Sequence, residues 1–257
     1  MTFHDIMLLA IAGIVGGTIS ALVGGAGLVT FPALLAVGLP PVLASAANLV
    51  ALAPGNIIAA LTDRTQLPPI DRSFVGLVFS STVGAVLGAG LLLITPEQLF
   101  AFLIPLLLGF ATVLFALAPR ITAWVRARAA KRGETGPHNW GRSIGALLPV
   151  SIYGGYFGAG VGVLILGVLS VGTSGDYRSA NVAKNLVTGL NSMVASGVFI
   201  AQGLVTWRPT LAMMAGALLG SVLGGMLARI LPNQVARVLV LCVGTLLTVL
   251  FAWRYWF

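Results

Sequence analysis

Two kinds of residue in this sequence could handle charge in an apolar setting: clustered glycines, and a few amide and ammonium side chains. Gly24, Gly25 and Gly27 sit in Val23-Gly-Gly-Ala-Gly27, and Gly158, Gly160 and Gly162 in Tyr156-Phe-Gly-Ala-Gly-Val-Gly162. Glycine lets a backbone leave helical geometry without a side-chain penalty. A helix that restarts after such a break presents free N–H groups and a positive dipole end, which suit an anion. A polar cluster follows each break. The first is Ala47-Asn48-Leu49-Val50, with Asn56 eight residues on; the second is Lys184-Asn185-Leu186-Val187, with Asn191 six residues on. Amides donate N–H to an anion's oxygens, and an ammonium offsets the cost of taking the anion out of water.

Each feature also has a plainer reading. Glycines permit close helix packing, which accounts for Gly84-x3-Gly88 and Gly216-x3-Gly220-x3-Gly224. Packing explains residues 24–27 less well, because clustered glycines weaken a helix. An Asn within a membrane span is usually a bridge between helices, but recurrence after both breaks favours a shared site. Lys184 either lines a cavity or snorkels to an interface beside Asp176 and Arg178, and the sequence leaves both open.

Other chemistry finds little to build on. Asp5, Asp63, Asp71, Glu97, Glu134 and Asp176 fall at span ends or in loops, so no acidic proton relay is visible. His4 and His138 lie at a terminus and between spans, which gives no metal site. Ser and Thr have no intramembrane His or Asp to activate them, so no hydrolase triad is expected. The sequence is read as a non-enzyme without a cofactor. Cys242 is alone, which excludes a disulfide within one chain.

The elements that must position these residues are apolar. Mean hydropathy is +1.04 and 8% of residues are charged, against about 25% in a soluble domain. The sequence predicts an all-α integral membrane protein of about eight transmembrane helices. They cover 5–37, 42–62, 73–94, 97–118, 143–170, 178–204, 209–230 and 233–254. Joints fall at Gly38-Leu-Pro-Pro41, Gln66-Leu-Pro-Pro69, Thr95-Pro96, Trp207-Arg-Pro209 and Leu231-Pro232. The chain begins with His4 and Asp5 rather than a basic segment, so its first stretch is read as a span and not a signal peptide. As one helix that span would run about 50 Å, too long for one straight crossing. It is therefore interrupted, as a broken helix or as a re-entrant hairpin.

The pattern is written twice. Pro96-Glu-Gln-Leu recurs as Pro232-Asn-Gln-Val, and Thr112-Val-Leu-Phe-Ala116 as Thr248-Val-Leu-Phe-Ala252, both 136 residues on. Gly84-Ala-Val-Leu-Gly88 and Gly220-Ser-Val-Leu-Gly224 share that offset. Two duplicated four-helix repeats, each with a Gly-broken helix, are expected at 1–118 and 143–257, joined by a basic linker at 119–142. Four crossings per repeat make the repeats parallel, since an inverted pair needs an odd number.

The net charge of +8 is concentrated in Arg120, Arg126, Arg128, Lys131 and Arg132. This is a topology signal and not a nucleic-acid site. With the linker in the cytoplasm, eight crossings place both termini there too. Arg64, Arg72, Arg142, Arg208 and Arg254 join the cytoplasmic set, against Arg178, Arg229 and Arg237 outside. The expected partners are a lipid bilayer and a small anionic substrate, and the reading is compatible with a homo-oligomer.

The run Gly16-Gly-Thr-Ile-Ser-Ala-Leu-Val-Gly-Gly-Ala-Gly-Leu-Val-Thr-Phe-Pro-Ala-Leu-Leu35, then Gly-Leu-Pro-Pro and Ala-Asn-Leu-Val, resembles the TauE/SafE sulfite exporter family, also called the toluene sulfonate uptake permease family. Gly154-Gly-Tyr-Phe-Gly-Ala-Gly-Val-Gly162 and Lys184-Asn185 resemble that family's second-half motif. The resemblance covers nearly the whole chain outside 118–142. It departs from the family pattern at Leu28, where a smaller or more polar residue is expected, and at Ala47, where a Thr is expected beside Asn48. The resemblance implies a secondary transporter of small sulfur-containing anions, such as sulfite, sulfoacetate or other organosulfonates, in a cell inner membrane. An anion channel and a non-transporting membrane subunit are the alternatives. Substrate, coupling ion and direction are open at this level, because members with different substrates share a fold.

Overall fold

The computed structural model describes residues 1–131, 140–173, 176–227 and 233–256. Among these there are ten α-helices and one 3-10 turn. They are α1 (Phe3–Leu22), α2 (Gly27–Ala36), α3 (Pro41–Thr62), α4 (Arg72–Ile94), α5 (Glu97–Lys131), α6 (Gly141–Tyr156), α7 (Val161–Gly172), α8 (Tyr177–Ala201), α9 (Trp207–Leu227) and α10 (Asn233–Trp256). Side chains start several of them. Thr2 and Asp5 form a reciprocal capping box on α1, Asp71 accepts from Phe74 N at 2.7 Å on α4, and Asp176 caps α8. By length and composition α1, α3, α4, α5 (as far as Trp124) and α9 can cross a membrane. Segment 119–142, expected as linker, continues α5 as far as Lys131.

Both long first segments are interrupted at their glycines. At the end of α1 the N–H groups of Val23 and Gly24 both donate to Ile19 O, at 2.9 and 3.0 Å; at the end of α6 those of Phe157 and Gly158 both donate to Tyr153 O, at 3.0 and 3.3 Å. Gly24 and Gly158 take φ of +86° and +79°, the left-handed cap that ends a helix and that glycine adopts without strain. After each turn the chain doubles back. A Cβ on Gly16 would fall on the Thr30 side chain, and one on Gly154 would meet Val161 at 2.9 Å. Gly172, the last residue of α7, lies against the Trp140 ring at the start of α6. The interruptions are thus helical hairpins, α1–α2 and α6–α7, and not kinks in two crossing helices.

Helix directions follow from the contacts. α9 runs parallel to α1, with Gly13 against Met213 and Gly224 against Thr18, and parallel to α3, with Gly55 against Ser221 and Gly225 against Thr62. α4 runs parallel to α6, with Gly76 against Ile144 and Gly88 against Tyr156. α3 and α8 are antiparallel: Ile57 meets Gly189, and Asp63 pairs with Arg178 at 2.6 Å. α5 and α10 are antiparallel as well, with Gly109 against Thr248 and Thr112 against Gly244.

These directions correct the expected topology. Each hairpin doubles back toward the end of the bundle it left, and three long helices follow it in each half: α3, α4, α5 and then α8, α9, α10. Three is odd, and the halves run antiparallel rather than parallel. The start of α1 and the end of α10 share one face, here the terminal face, while the end of α5 and the start of α6 lie on the other, the linker face. The expectation that both termini share a face with the linker is therefore not met.

The small-residue stripes bind the two halves together. Gly13, Gly17, Gly216 and Gly220 let α1 and α9 touch backbone to backbone, and Thr18 Oγ1 lies 3.0 Å from Gly220 O. Gly84, Gly88 and Gly155 do the same for α4 and α6, with Ser81 and Ser151 joined at 2.7 Å. Phe31, Phe100, Phe115 and Phe157 fill the core around the hairpin turns, and α5 backs both, Phe115 at Gly25 and Ala111 at Gly160.

Candidate functional site

The two hairpin turns meet inside the bundle. Gly24 and Gly162 touch Cα to Cα, so a Cβ on either would fall 2.7–2.8 Å from the other's Cα. Gly27 packs on Ala159 in the same manner. α2 and α7 both begin here and run away from the contact, so two helix N-termini face one point. The early N–H groups are only partly spent: Leu28 donates to Gly25 O and Val29 to Ala26 O, while Val161 donates to Gly158 O and Val163 to Gly160 O. Two positive dipole ends converge where water is excluded.

A small cavity of about 30 Å3 lies at this point. Gly24, Gly27, Gly158 and Gly162 form its backbone walls, and Asn48, Asn56 and Lys184 project from α3 and α8. All three side chains are at most 3% exposed. Hydroxyls orient the amides: Thr30 Oγ1 lies 2.6 Å from Asn48 Oδ1, and Ser20 Oγ 2.7 Å from Asn56 Oδ1. With each Oδ1 engaged, the Nδ2 groups are left as donors, and neither makes a hydrogen bond among the described residues. Lys184 Nζ donates to Ser20 O at 2.7 Å and makes no ion pair among the described residues. Its ammonium retains two further protons. The cavity therefore offers an ammonium, two amides and two helix N-termini without a carboxylate in its wall, a donor set for a small oxyanion.

Seven of the eleven residues singled out in the sequence line this cavity. Four do not. Gly25 lies against the Phe115 ring and Gly160 against Ala111; both shape the turns from behind. Asn185 Nδ2 is directed at Ala21 O at 3.4 Å. Asn191 Nδ2 bridges Ser81 and Ser151 at 2.7 and 3.2 Å, the helix-bridging role an intramembrane Asn commonly has. Sequence reasoning missed Ser20, Thr188 and Ser192, which also line the cavity. Thr188 and Ser192 follow Lys184 at intervals of four, so the helical period alone would have found them.

Lys184 has a second role. The last carbonyls of α1 lack helical partners, as at any helix C-terminus. α8 supplies them: Lys184 to Ser20 O, Asn181 to Ala21 O at 3.0 Å, and Tyr177 Oη to Leu22 O at 3.0 Å. A cation beside these carbonyls also meets the negative dipole end. Lys184 thus lines the cavity and caps the hairpin, and does not snorkel to a surface.

Comparison with known proteins places this architecture in context. The family model described as sulfite exporter TauE/SafE matches residues 9–251. A probable membrane transporter protein, ORF9, of Sinorhizobium is 27% identical over 97% of this chain and 93% of its own length. A probable membrane transporter protein of Haemophilus influenzae is 25% identical over 94% of this chain and 92% of its own. The probable membrane transporter protein YfcA of Escherichia coli K12 is 23% identical over 94% and 87%. No solved structure matches the chain significantly.

Proposed function

Because this chain belongs to the sulfite exporter TauE/SafE family, we propose that it carries small sulfur-containing anions, such as sulfite, sulfoacetate or other organosulfonates, across a cell inner membrane as a secondary transporter. That it is a multi-pass membrane transporter follows from the family and the apolar helices. The substrate class is our reading. The observation that carries it is the meeting of two helix N-termini with Lys184, Asn48 and Asn56 around one buried cavity. Anions bind where N–H groups and positive charge converge away from water.

The halves are read as inverted repeats, with the substrate between the hairpin tips. Gly24 and Gly162 touch at the cavity, so passage of a sulfonate between the tips requires them to part. Basic residues set the orientation. Arg64, Arg72, Arg120, Arg128, Lys131 and Arg178 belong to the linker face, and Arg208 and Arg254 to the terminal face. The linker face is therefore cytoplasmic, and the termini lie outside.

Purified protein in liposomes tests the function with labelled sulfite, sulfoacetate and isethionate. Saturable uptake that unlabelled anion competes away is expected. Flux that never saturates would make the protein a channel, and no flux with any of these anions would remove the substrate assignment.

A further inference from the structure

A second cavity, of about 260 Å3, lies on the linker-face side of the α1 C-terminus, lined by Ala21, Ala59, Asp63, Arg178, Asn181 and Asn185 among others. It shares a wall with the central one. Ser20 on α1 and Lys184 on α8 line the central cavity, while Ala21 on α1 and Asn181 and Asn185 on α8 line the outer one. The wall is a single layer of contacts between α1 and α8, held by Lys184 on Ser20 O at 2.7 Å and Asn181 on Ala21 O at 3.0 Å. A polar stripe runs past it. Arg178, Asn181, Asn185, Thr188 and Ser192 are spaced alternately three and four apart, which puts them on one face of α8. The first three line the outer cavity, and Thr188 and Ser192 the central one. Polar and charged side chains at membrane depth face cavities and mark the paths of polar cargo. Toward the terminal face the packing is apolar instead: Phe31 and Leu34 on α2 and Phe199 on α8 are fully buried.

The amide nitrogens of Asn181 and Asn185 are turned to Ala21 O, so the charge of the outer cavity lies at its mouth. The Arg178 guanidinium, about half exposed, holds both Asp63 oxygens, Nε at 2.6 Å and Nη2 at 2.8 Å. Its Nη1 makes no hydrogen bond among the described residues and remains a donor. The pair ties the end of α3, in the first half, to the start of α8, in the second. We propose that the outer cavity is the vestibule through which a small oxyanion passes between the linker face and the central cavity, with the α8 stripe as its track and the Asp63–Arg178 pair as the latch at its mouth. The inference rests on the anion reading above and adds the route. Arg178 attracts an entering anion and Asp63 repels it. Separation of α8 from the end of α1 opens the wall and brings the Lys184 ammonium into the vestibule. An ion pair that only braces two helices loses the same bond whichever partner is removed. The two partners of a latch on an anion path act in opposite senses.

That difference is the test. In liposomes at low ionic strength, Asp63→Asn should lower the KM for isethionate by about fivefold, and Arg178→Gln should raise it by about as much, since each removes one charge beside the path. KM changes of the same sign in the two variants would reduce the pair to a brace and overturn the latch. The route is tested separately. Ala59 lines the vestibule, and Ala59→Cys in a Cys242→Ser background offers a thiol to sulfonatoethyl methanethiosulfonate, itself a small sulfonate. The reagent should modify the purified protein, isethionate should slow the reaction, and modification should abolish flux. A thiol that the reagent does not reach, or one whose modification is indifferent to isethionate, would overturn the vestibule. If Ala59→Cys does not fold, the opposed KM shifts alone decide. The two readings fail separately. Absence of flux with every anion removes the carrier, while protection of the thiol by isethionate still reports an anion in the vestibule; saturable flux without protection or opposed KM shifts leaves the carrier and removes this route.

Discussion

At the scale of single residues, the site separates groups that look alike in sequence. Lys184→Gln removes the ammonium from the central cavity and the charged cap on Ser20 O. Anion affinity should fall at least about tenfold. Stability should fall by about 1.5–3 kcal/mol, the range for a hydrogen bond to a charged group. Isothermal titration and unfolding of the same purified variant separate the two effects. Asn56→Ala should weaken binding by about 1–3 kcal/mol, because its amide is oriented by Ser20 and left as a donor. Asn191→Ala, on the Ser81–Ser151 bridge, should leave affinity within about twofold; an equal loss in both variants would mean the cavity residues are wrongly chosen. Sequence alone could not make this distinction. Asn48, Asn56, Asn185 and Asn191 share type and apolar surroundings, and only the helix face each occupies decides between cavity and bridge.

Among the elements, the hairpin turns carry the most demanding packing. Gly162→Ala puts a methyl on Gly24 Cα. Overpacking of this kind costs about 1–3 kcal/mol, and here it also holds the tips apart, so transport should be lost while expression persists. Gly90→Ala has open space around it and should be neutral or stabilising by up to about 1 kcal/mol from helix propensity. Similar losses of flux and Tm in the two variants would remove the tip contact from the mechanism. The positions of both breaks were legible, since densely clustered glycines weaken a helix. The direction taken after each break was not. A left-handed glycine at the end of α1 is compatible with a kink or a reversal, and the reversal is fixed by long-range partners such as Thr30 on Gly16 and Trp140 on Gly172.

For the molecule as a whole, that single ambiguity changes the topology. A kinked helix continues in one direction and a hairpin reverses, so each hairpin leaves an odd number of long helices after it and turns a parallel pair of halves into an antiparallel one. In a background with Cys242 replaced by Ser, Phe3→Cys and Lys131→Cys should label with a membrane-impermeant thiol reagent from opposite sides of the vesicle. Labelling of both from one side would restore eight crossings. Hydrophobic runs, span edges and the internal similarity are local signals and were readable. Antiparallel halves arise from contacts about 200 residues apart, such as Thr18 with Gly220. Those contacts also govern assembly. The backbone partner of α1 is α9 and that of α6 is α4, so each hairpin is seated by a helix of the opposite half. During synthesis α1 leaves the ribosome long before α9 exists, and its glycine face has nothing to close against. The first half must wait in the bilayer, with the glycine face of α1 uncovered, until residue 227 has emerged, whereas α6 finds α4 already in place. The two halves of one architecture are therefore completed in opposite order, and the N-terminal hairpin, first to be made, is the last to be locked.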